Sequence, residues 1–373
     1  MKVNIAVCGK YHLLNYALSK DFESLLGRLY LSSIKGVDDN RAVNDRMKQI
    51  LVQLHGKIPF RFGYEKSIVW YHDMWQKSML RRWESCDILH VISHGASLDM
   101  IKKAKDEGSK IILEAVNTHP VNRFNVVNKQ ASYFGLPLRQ DLYPREYLAI
   151  EEASLSDSLL APTNIVSESY AETMAFKSSY VLPYCANTKK FSAGVFRNES
   201  RVKVLCVGQI GLRKGQLHLL EALDILDSRV EVTLVGMIDS NVRKIVKKFS
   251  GRFLHVERVP GAEMPEFMRG FDIFILPSLE EGLSLSILEA MASGLAVIGS
   301  KASGAGEIID GNNGLVIDTV NAESIAGAVN TLVESDARLL MRNLAISSVQ
   351  DTMNWVAYSN KLKEIYNESE EWV

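Results

Sequence analysis

The chain has 373 residues, with 43 Lys and Arg against 44 Asp and Glu, 47% hydrophobic and 23% charged positions. That length exceeds one ordinary core and predicts about two domains of soluble globular composition. A formal charge of −1 gives no reason to expect a nucleic-acid partner, and no apolar run reaches the ~18–20 residues that a membrane span needs.

The opening MKVNIAVCGK is too short for a signal peptide and reads as a buried strand over Val3–Cys8, so a cytoplasmic location is expected. It ends in a turn, Gly9-Lys10-Tyr11-His12. Helical periods follow around Tyr16–Leu26, Ala42–His55 and Ser97–Glu107, and strands are expected at Ile68–Tyr71, Ile88–Ser93, Lys110–Val116 and Ser158–Ala161. His72, His94 and His119 fall in this half, the last two at strand ends. Four cysteines, Cys8, Cys86, Cys185 and Cys206, lack the spacing of a disulfide framework or a zinc site, and Cys8 and Cys206 read as core thiols. Residues 1–190 carry 25 Lys/Arg against 20 Asp/Glu, whereas residues 191–373 carry 18 against 24. The basic surplus of the first part suits an anionic partner. Arg41–Lys66, with Met47, Ile50, Leu51 and Leu54 at helical spacing beside Lys57 and Arg61, and the Arg81-Arg82 pair are the segments expected to dock on an anionic bilayer. The same apolar positions could equally pack on a sheet.

The helical pattern stops near Pro183–Phe191, where a domain boundary is expected. Strands then recur at Val202–Val207, Glu231–Val235, Phe253–Val256, Asp272–Leu276, Ala296–Gly299 and Leu315–Ile317, separated by helices. Such alternation means parallel sheets covered on both faces. After the first of these strands comes a basic turn, Gly208-Gln209-Ile210-Gly211-Leu212-Arg213-Lys214-Gly215. Two cations beside close-approach glycines suit a diphosphate. The turn lacks the Gly spacing and the Ser/Thr of a Walker loop. Further on, FDIFILPS leads through LEEG into LSLSILEAMASG. Glu281 and Glu289 lie eight residues apart at a strand's carboxyl end and along the helix after it. Glu281 can face a polar substrate there, and Glu289, about one and a half turns into the helix, can reach a second group of the same ligand. Carboxylates accept hydrogen bonds, which suits vicinal hydroxyls, and the apolar flanks of Glu289 make an unpaired charge costly.

Neither an Asp-x-Asp pair, a His-Glu-x-x-His motif nor a Cys cluster occurs, so no metal site is expected and protein cations must neutralise any diphosphate. A Gly-x-Ser-x-Gly elbow is also missing. The segment PSLEEGLSLSILEAMASGLAVIGSKASGAGEIIDGNNGLVID resembles the donor-binding region of glycosyltransferase family 4, in which two Glu separated by seven residues precede a Gly-rich turn ending in Glu. VLCVGQIGLRKGQLHLLEALDIL is similar to the family's strand, basic turn and helix, VLPYCANTKKF to its interdomain linker, and MNWVAYSNKLKEIYNE to its last, crossing helix.

The resemblance implies a GT-B fold: two facing Rossmann-like domains with parallel sheets and a cleft between them. Residues 1–185 would form the acceptor-side domain, 186–355 the donor domain, and about 356–373 would cross back. It implies a retaining glycosyltransferase that takes a nucleotide-sugar donor, and the missing metal motifs give no cofactor; the basic surplus of the acceptor-side half points to a saccharide or lipid-linked acceptor and to bacterial surface polysaccharide or lipopolysaccharide assembly. In that frame Lys214 and Arg213 hold the phosphates, with backbone at Gly208, Gly282, Leu283, Ser284 and Leu285, and Gly9 is the matching glycine of the first domain. Glu289 accepts from the ribose, Glu281 from the transferred sugar, and His119 matches a His near the reacting sugar. Gln209 departs from the family, which often has a phosphate-binding Arg there, and Arg213 is the candidate replacement. A GT-B sugar-nucleotide epimerase and a non-catalytic nucleotide-sugar binding module are the competing readings.

Overall fold

The computed structural model describes residues 1–9, 12, 14–18, 22–32, 37, 39–43, 64–196, 199–351 and 353–370. The chain divides into two compact units. Unit 1 comprises Met1–Phe124, Arg139–Leu182 and Tyr358–Val373, and unit 2 comprises Asn125–Leu138 and Pro183–Ala357.

Unit 1 is built on seven parallel strands: β1 (Val3–Val7), β2 (Leu26–Leu31), β3 (Ala42–Val43), β4 (Ile88–Ile92), β5 (Lys110–Glu114), β6 (Ser158–Ala161) and β7 (Ser178–Val181), in the order β3-β2-β1-β4-β5-β6-β7. Val, Ile and Leu dominate β1 and β4, each buried along its whole length, as strands covered on both faces require. Leu89, Val91, Ile111 and Leu113 pack with Trp75, Met79, Met100 and Ile101 from helices on the sheet. The strand order turns back between β1 and β4, which makes their carboxyl ends a switch point.

Three expectations for this unit are corrected. Ile68–Tyr71 is not a strand but lies in the helix Tyr64–Leu80, where Trp75 and Met79 share a buried face and Lys77 pairs with Asp73 one turn away at 2.9 Å. A four-residue apolar run cannot by itself separate helix from strand. The period at Tyr16–Leu26 gives a helix only over Leu14–Ala17, and Leu26 begins β2, whose Leu29, Tyr30 and Leu31 are buried between β1 and β3. At Ala42 the expected helix is replaced by β3. The rest of that expected helix, Met47, Ile50, Leu51 and Leu54, together with Lys57 and Arg61, lies outside the described residues. Strand β7 has no counterpart among the expected strands, because SSYV is short and only partly buried at the sheet edge.

The last helix, Trp355–Glu370, passes into unit 1 at Tyr358. Tyr358, Leu362, Ile365 and Tyr366 form its buried stripe. Tyr366 Oη lies 2.7 Å from His90 Nδ1, His90 Nε2 3.1 Å from Glu114 Oε2, and His12 Nε2 2.6 Å from Glu114 Oε1. This network joins β4, β5 and the last helix within unit 1.

Unit 2 contains six parallel strands: β8 (Val202–Val207), β9 (Val230–Val235), β10 (Leu254–Val256), β11 (Ile273–Leu276), β12 (Ala296–Ser300) and β13 (Leu315–Ile317), in the order β10-β9-β8-β11-β12-β13. All six coincide with the expected strands to within one or two residues. The order reverses between β8 and β11, so the turn after β8 and the turn after β11 meet at the switch point. Asn125–Leu138, part of a helix that begins at Pro120, groups with this unit, and Gln130 accepts a hydrogen bond from His218 Nε2 at 2.8 Å. Among the described residues no helix is long and apolar enough to cross a membrane.

Candidate active site

The basic turn is held against the sheet by glycine geometry. Gly215 caps the helix Gln216–Ala222 with φ +69°, and a Cβ there would lie 1.8 Å from the Pro277 carbonyl oxygen just beyond β11. Only glycine combines that left-handed backbone with that approach. The neighbouring Leu279 N–H donates to the Arg213 carbonyl at 2.8 Å, so the two turns are joined through their backbones. Gly208 follows β8 with its N–H on Val235 O at 2.9 Å, and Gln216 Nε2 donates to the Gly208 and Gln209 carbonyls. Gln209 itself donates to Asp239.

At the junction two cations meet two carboxylates. Arg213 Nη1 donates to the Glu280 carbonyl at 2.9 Å, to Glu280 Oε2 at 3.2 Å and to Glu281 Oε1 at 3.2 Å, while Lys214 Nζ pairs with Glu281 Oε2. Burial pushes the Glu281 carboxyl up, but Arg213 and Lys214 outweigh it and hold the group below the usual carboxylate range. Lys214, Arg213 and Glu281 are therefore brought together, but as a charge-balanced cluster rather than as bare cations. Glu280, only 1% exposed, is the member that sequence reasoning missed. The signal was the Glu-Glu dipeptide: a second acid beside a strand end already matched to two cations.

Beyond them, Gly282, Leu283 and Ser284 are buried and lead into the helix Leu285–Ser293. Ser284 is the N-cap in extended conformation, and Gly294 closes the helix with φ +78°. Ile287 N–H donates to the Ser284 carbonyl at 3.1 Å, and the backbone N–H groups ahead of it make the helix start a place for an anion. Glu289 lies one turn further, half-buried between the buried Leu288 and Ala290. Burial pushes its carboxyl up to about 7, against the pull of Lys190. It is thus poised at neutrality to change charge or to accept a ligand's hydroxyls.

In unit 1, Gly9 follows β1 and is half-buried, whereas Lys10 and Tyr11 lie outside the described residues. His12 is buried against Glu114. His119 is 2% exposed at the start of the Pro120–Tyr133 helix. Its Nδ1 accepts from Val121 N–H at 3.4 Å, which leaves the proton on Nε2, a buried atom with no hydrogen-bond partner among the described residues. Burial keeps the ring neutral by lowering its pKa. His72 Nδ1 is engaged by the Gly95 carbonyl at 3.1 Å, and burial lowers His94 to about 3. Around His94 the loop after β4 wraps a buried carboxylate: Glu152 accepts from the N–H groups of His94, Gly95 and Ser97 at 3.2, 2.7 and 2.6 Å. Among the described residues no group of three or more His, Cys, Asp or Glu is placed to hold a metal ion.

Residues 201–335 match the family described as Glycosyl transferases group 1. A curated relative from Campylobacter jejuni, N,N'-diacetylbacillosaminyl-diphospho-undecaprenol alpha-1,3-N-acetylgalactosaminyltransferase, is 30% identical over 155 residues, 41% of this chain and 40% of the relative. The matches span less than half the length of the curated relatives. Among solved structures, sucrose-phosphate synthase from Thermosynechococcus elongatus superposes with a TM-score of 0.74 at 15% identity, covering 98% of both chains. Anabaena HepE in complex with UDP and glucose gives a TM-score of 0.66 at 14% identity, covering 99% of this chain and 100% of that one. The fold is GT-B, and the stretch that matches the group 1 glycosyltransferase model lies within unit 2.

Proposed function

We propose that the protein is a glycosyltransferase that moves a sugar from a nucleoside-diphosphate sugar to an acceptor hydroxyl, with retention of anomeric configuration and without a metal ion. The observation that carries this reading is the Arg213–Lys214–Glu281 cluster at the switch point of β8 and β11, with Glu289 in the helix that follows it. On donor binding the diphosphate takes the place of Glu281 on Lys214. Arg213, still tethered to Glu280, adds a second cation, and the start of the Leu285–Ser293 helix contributes N–H donors. Freed from Lys214, the Glu281 carboxylate accepts from hydroxyls of the transferred sugar, and Glu289 accepts from the ribose. The bond between the anomeric carbon and the phosphate oxygen breaks, the acceptor oxygen bonds to that carbon, and the acceptor proton goes to the departing phosphate. Charge builds on that phosphate as the bond breaks, so preformed cations lower the barrier.

For the acceptor, the Campylobacter relative's name specifies a diphospho-undecaprenol-linked sugar, which supports a lipid-linked saccharide and a role in surface polysaccharide or lipopolysaccharide assembly. Arg81 and Arg82, exposed just beyond the Tyr64–Leu80 helix, then hold unit 1 on an anionic bilayer at the inner face of the membrane. Product analysis with a panel of nucleotide sugars tests both parts. Glycosylated acceptor with the donor's anomeric configuration supports the reading, whereas an isomerised donor, or binding without any product, replaces it. Replacing Arg81 and Arg82 by Ser is expected to reduce transfer to an acceptor in anionic vesicles and to spare transfer to a soluble saccharide; equal rates would remove the membrane contact.

A further inference from the structure

Unit 2 has a polar, partly open pocket at the opposite end of β11 from the Arg213–Lys214 turn, where Asp272 enters the strand and Gly294 ends the Leu285–Ser293 helix. Four cations line it: Lys203, Arg269, Arg338 and Arg342. Lys203 is answered by Glu199 at 3.1 Å, and Arg269 by Glu266. The other two are held by neutral oxygens. Arg342 donates to the carbonyls of Gly294, at 2.9 Å, and Gly194, and to the Asn343 side chain at 3.5 Å. Arg338, 1% exposed, donates to the carbonyls of Leu332, at 3.0 Å, and Val333, and its Nε is buried with no hydrogen-bond partner among the described residues.

Carbonyl oxygens orient a guanidinium but do not neutralise it. Among the described residues neither guanidinium forms an ion pair with a carboxylate; Asp272 and the exposed Glu334 act on Arg338 from a distance, and burial lowers the pKa of both arginines. Arg338 is buried with only distant carboxylates and Arg342 is half-buried, so a small anion bound between them would offset the cost of desolvating the two charges. The surroundings are shaped for close approach. A Cβ on Gly294 would meet Arg342 Nε at 3.0 Å, and one on Gly194 would meet Arg269 Cδ at 3.1 Å. Two guanidinium forks fixed in place are preorganised for a tetrahedral oxyanion.

We propose that this cavity is a second anion site, separate from the donor phosphates, and that it takes a phosphate-class dianion, either inorganic phosphate or the phosphate of a phosphomonoester. The test is calorimetric titration of inorganic phosphate, and in a second arm of a hexose 6-phosphate, into the nucleotide-free full chain at constant ionic strength. Saturable one-to-one binding is expected. It should persist within about twofold in Lys214→Ala, which silences the donor turn, and weaken at least tenfold in Arg342→Gln, a variant that should still bind a nucleoside diphosphate as the wild type does. A tighter hexose 6-phosphate than phosphate assigns the site to phosphomonoesters, and equal affinities assign it to free phosphate. Arg338→Gln is the stronger substitution, and Arg342→Gln keeps the test valid if that variant fails to fold. Lack of saturable binding to the wild type, or binding lost in Lys214→Ala and kept in Arg342→Gln, would overturn the proposal.

Discussion

Glu281 is the residue whose chemistry changed most between sequence and structure. On spacing alone it is a carboxylate waiting for a sugar, but in the fold it pairs with Lys214 and shares Arg213. A diphosphate must therefore compete with it. Glu281→Gln removes the competing charge, and since a charged hydrogen bond is worth on the order of 1.5–3 kcal/mol net, the variant should bind a nucleoside diphosphate about tenfold more tightly while its turnover falls at least tenfold. Calorimetry and initial rates read the two effects, and weaker nucleotide binding would mean that Glu281 does not compete. Glu289 gives a pH signature. Burial raises its carboxyl from 4.5 to about 7, so the native state holds its proton to a higher pH than the unfolded chain, and this group's contribution to stability falls as pH rises from about 4.5 to about 7. Only the ionised form is a pure acceptor for two ribose hydroxyls. Nucleoside diphosphate affinity should then rise more steeply between about pH 6 and about pH 8 in the wild type than in Glu289→Gln, where the ligand's own phosphate still titrates; an unchanged slope in that variant would assign the titration elsewhere.

At the scale of elements, the turn after β8 depends on Gly215. An Ala there must adopt positive φ and also overlap the Pro277 carbonyl, whereas a methyl added at Gly251, with φ +83°, would meet nothing within 4 Å. Gly251→Ala should cost only the backbone term, roughly 1–2 kcal/mol, and Gly215→Ala should cost more, roughly 2–4 kcal/mol, and weaken nucleotide binding as the turn moves off β11. Denaturant titration of both variants checks the difference, and equal losses would show that the turn is not seated on the strand. These elements also show what was legible. The strands of unit 2 are buried apolar runs bounded by turn residues, so their pattern has one solution. LGRLYL and SSYV have neither β-branched runs nor clean alternation, and their strand character comes from neighbouring strands. SIVWY carries an apolar run that a helix and a strand satisfy equally. The site read well where local order carries it: Lys214, Glu281 and Glu289 stand in the turns and helix expected. The pairing of Arg213 with Glu280 across 67 residues is a product of the β8–β11 adjacency and had no local signature.

For the whole molecule, two parallel-sheet units joined by a returning helix carry one proposed chemistry, and its central claim is that protein cations, without a metal, hold a nucleoside diphosphate in unit 2. Cations fixed at a strand end supply the charge stabilisation that a bound divalent ion would otherwise provide. Calorimetric titration of a nucleoside diphosphate into the full chain in excess chelator, for wild type and for Lys214→Ala, tests that claim most directly. One-to-one binding in chelator, weakened at least tenfold in Lys214→Ala with folding intact, is the predicted result; binding that needs added magnesium or manganese, or equal affinity in the two proteins, would contradict it.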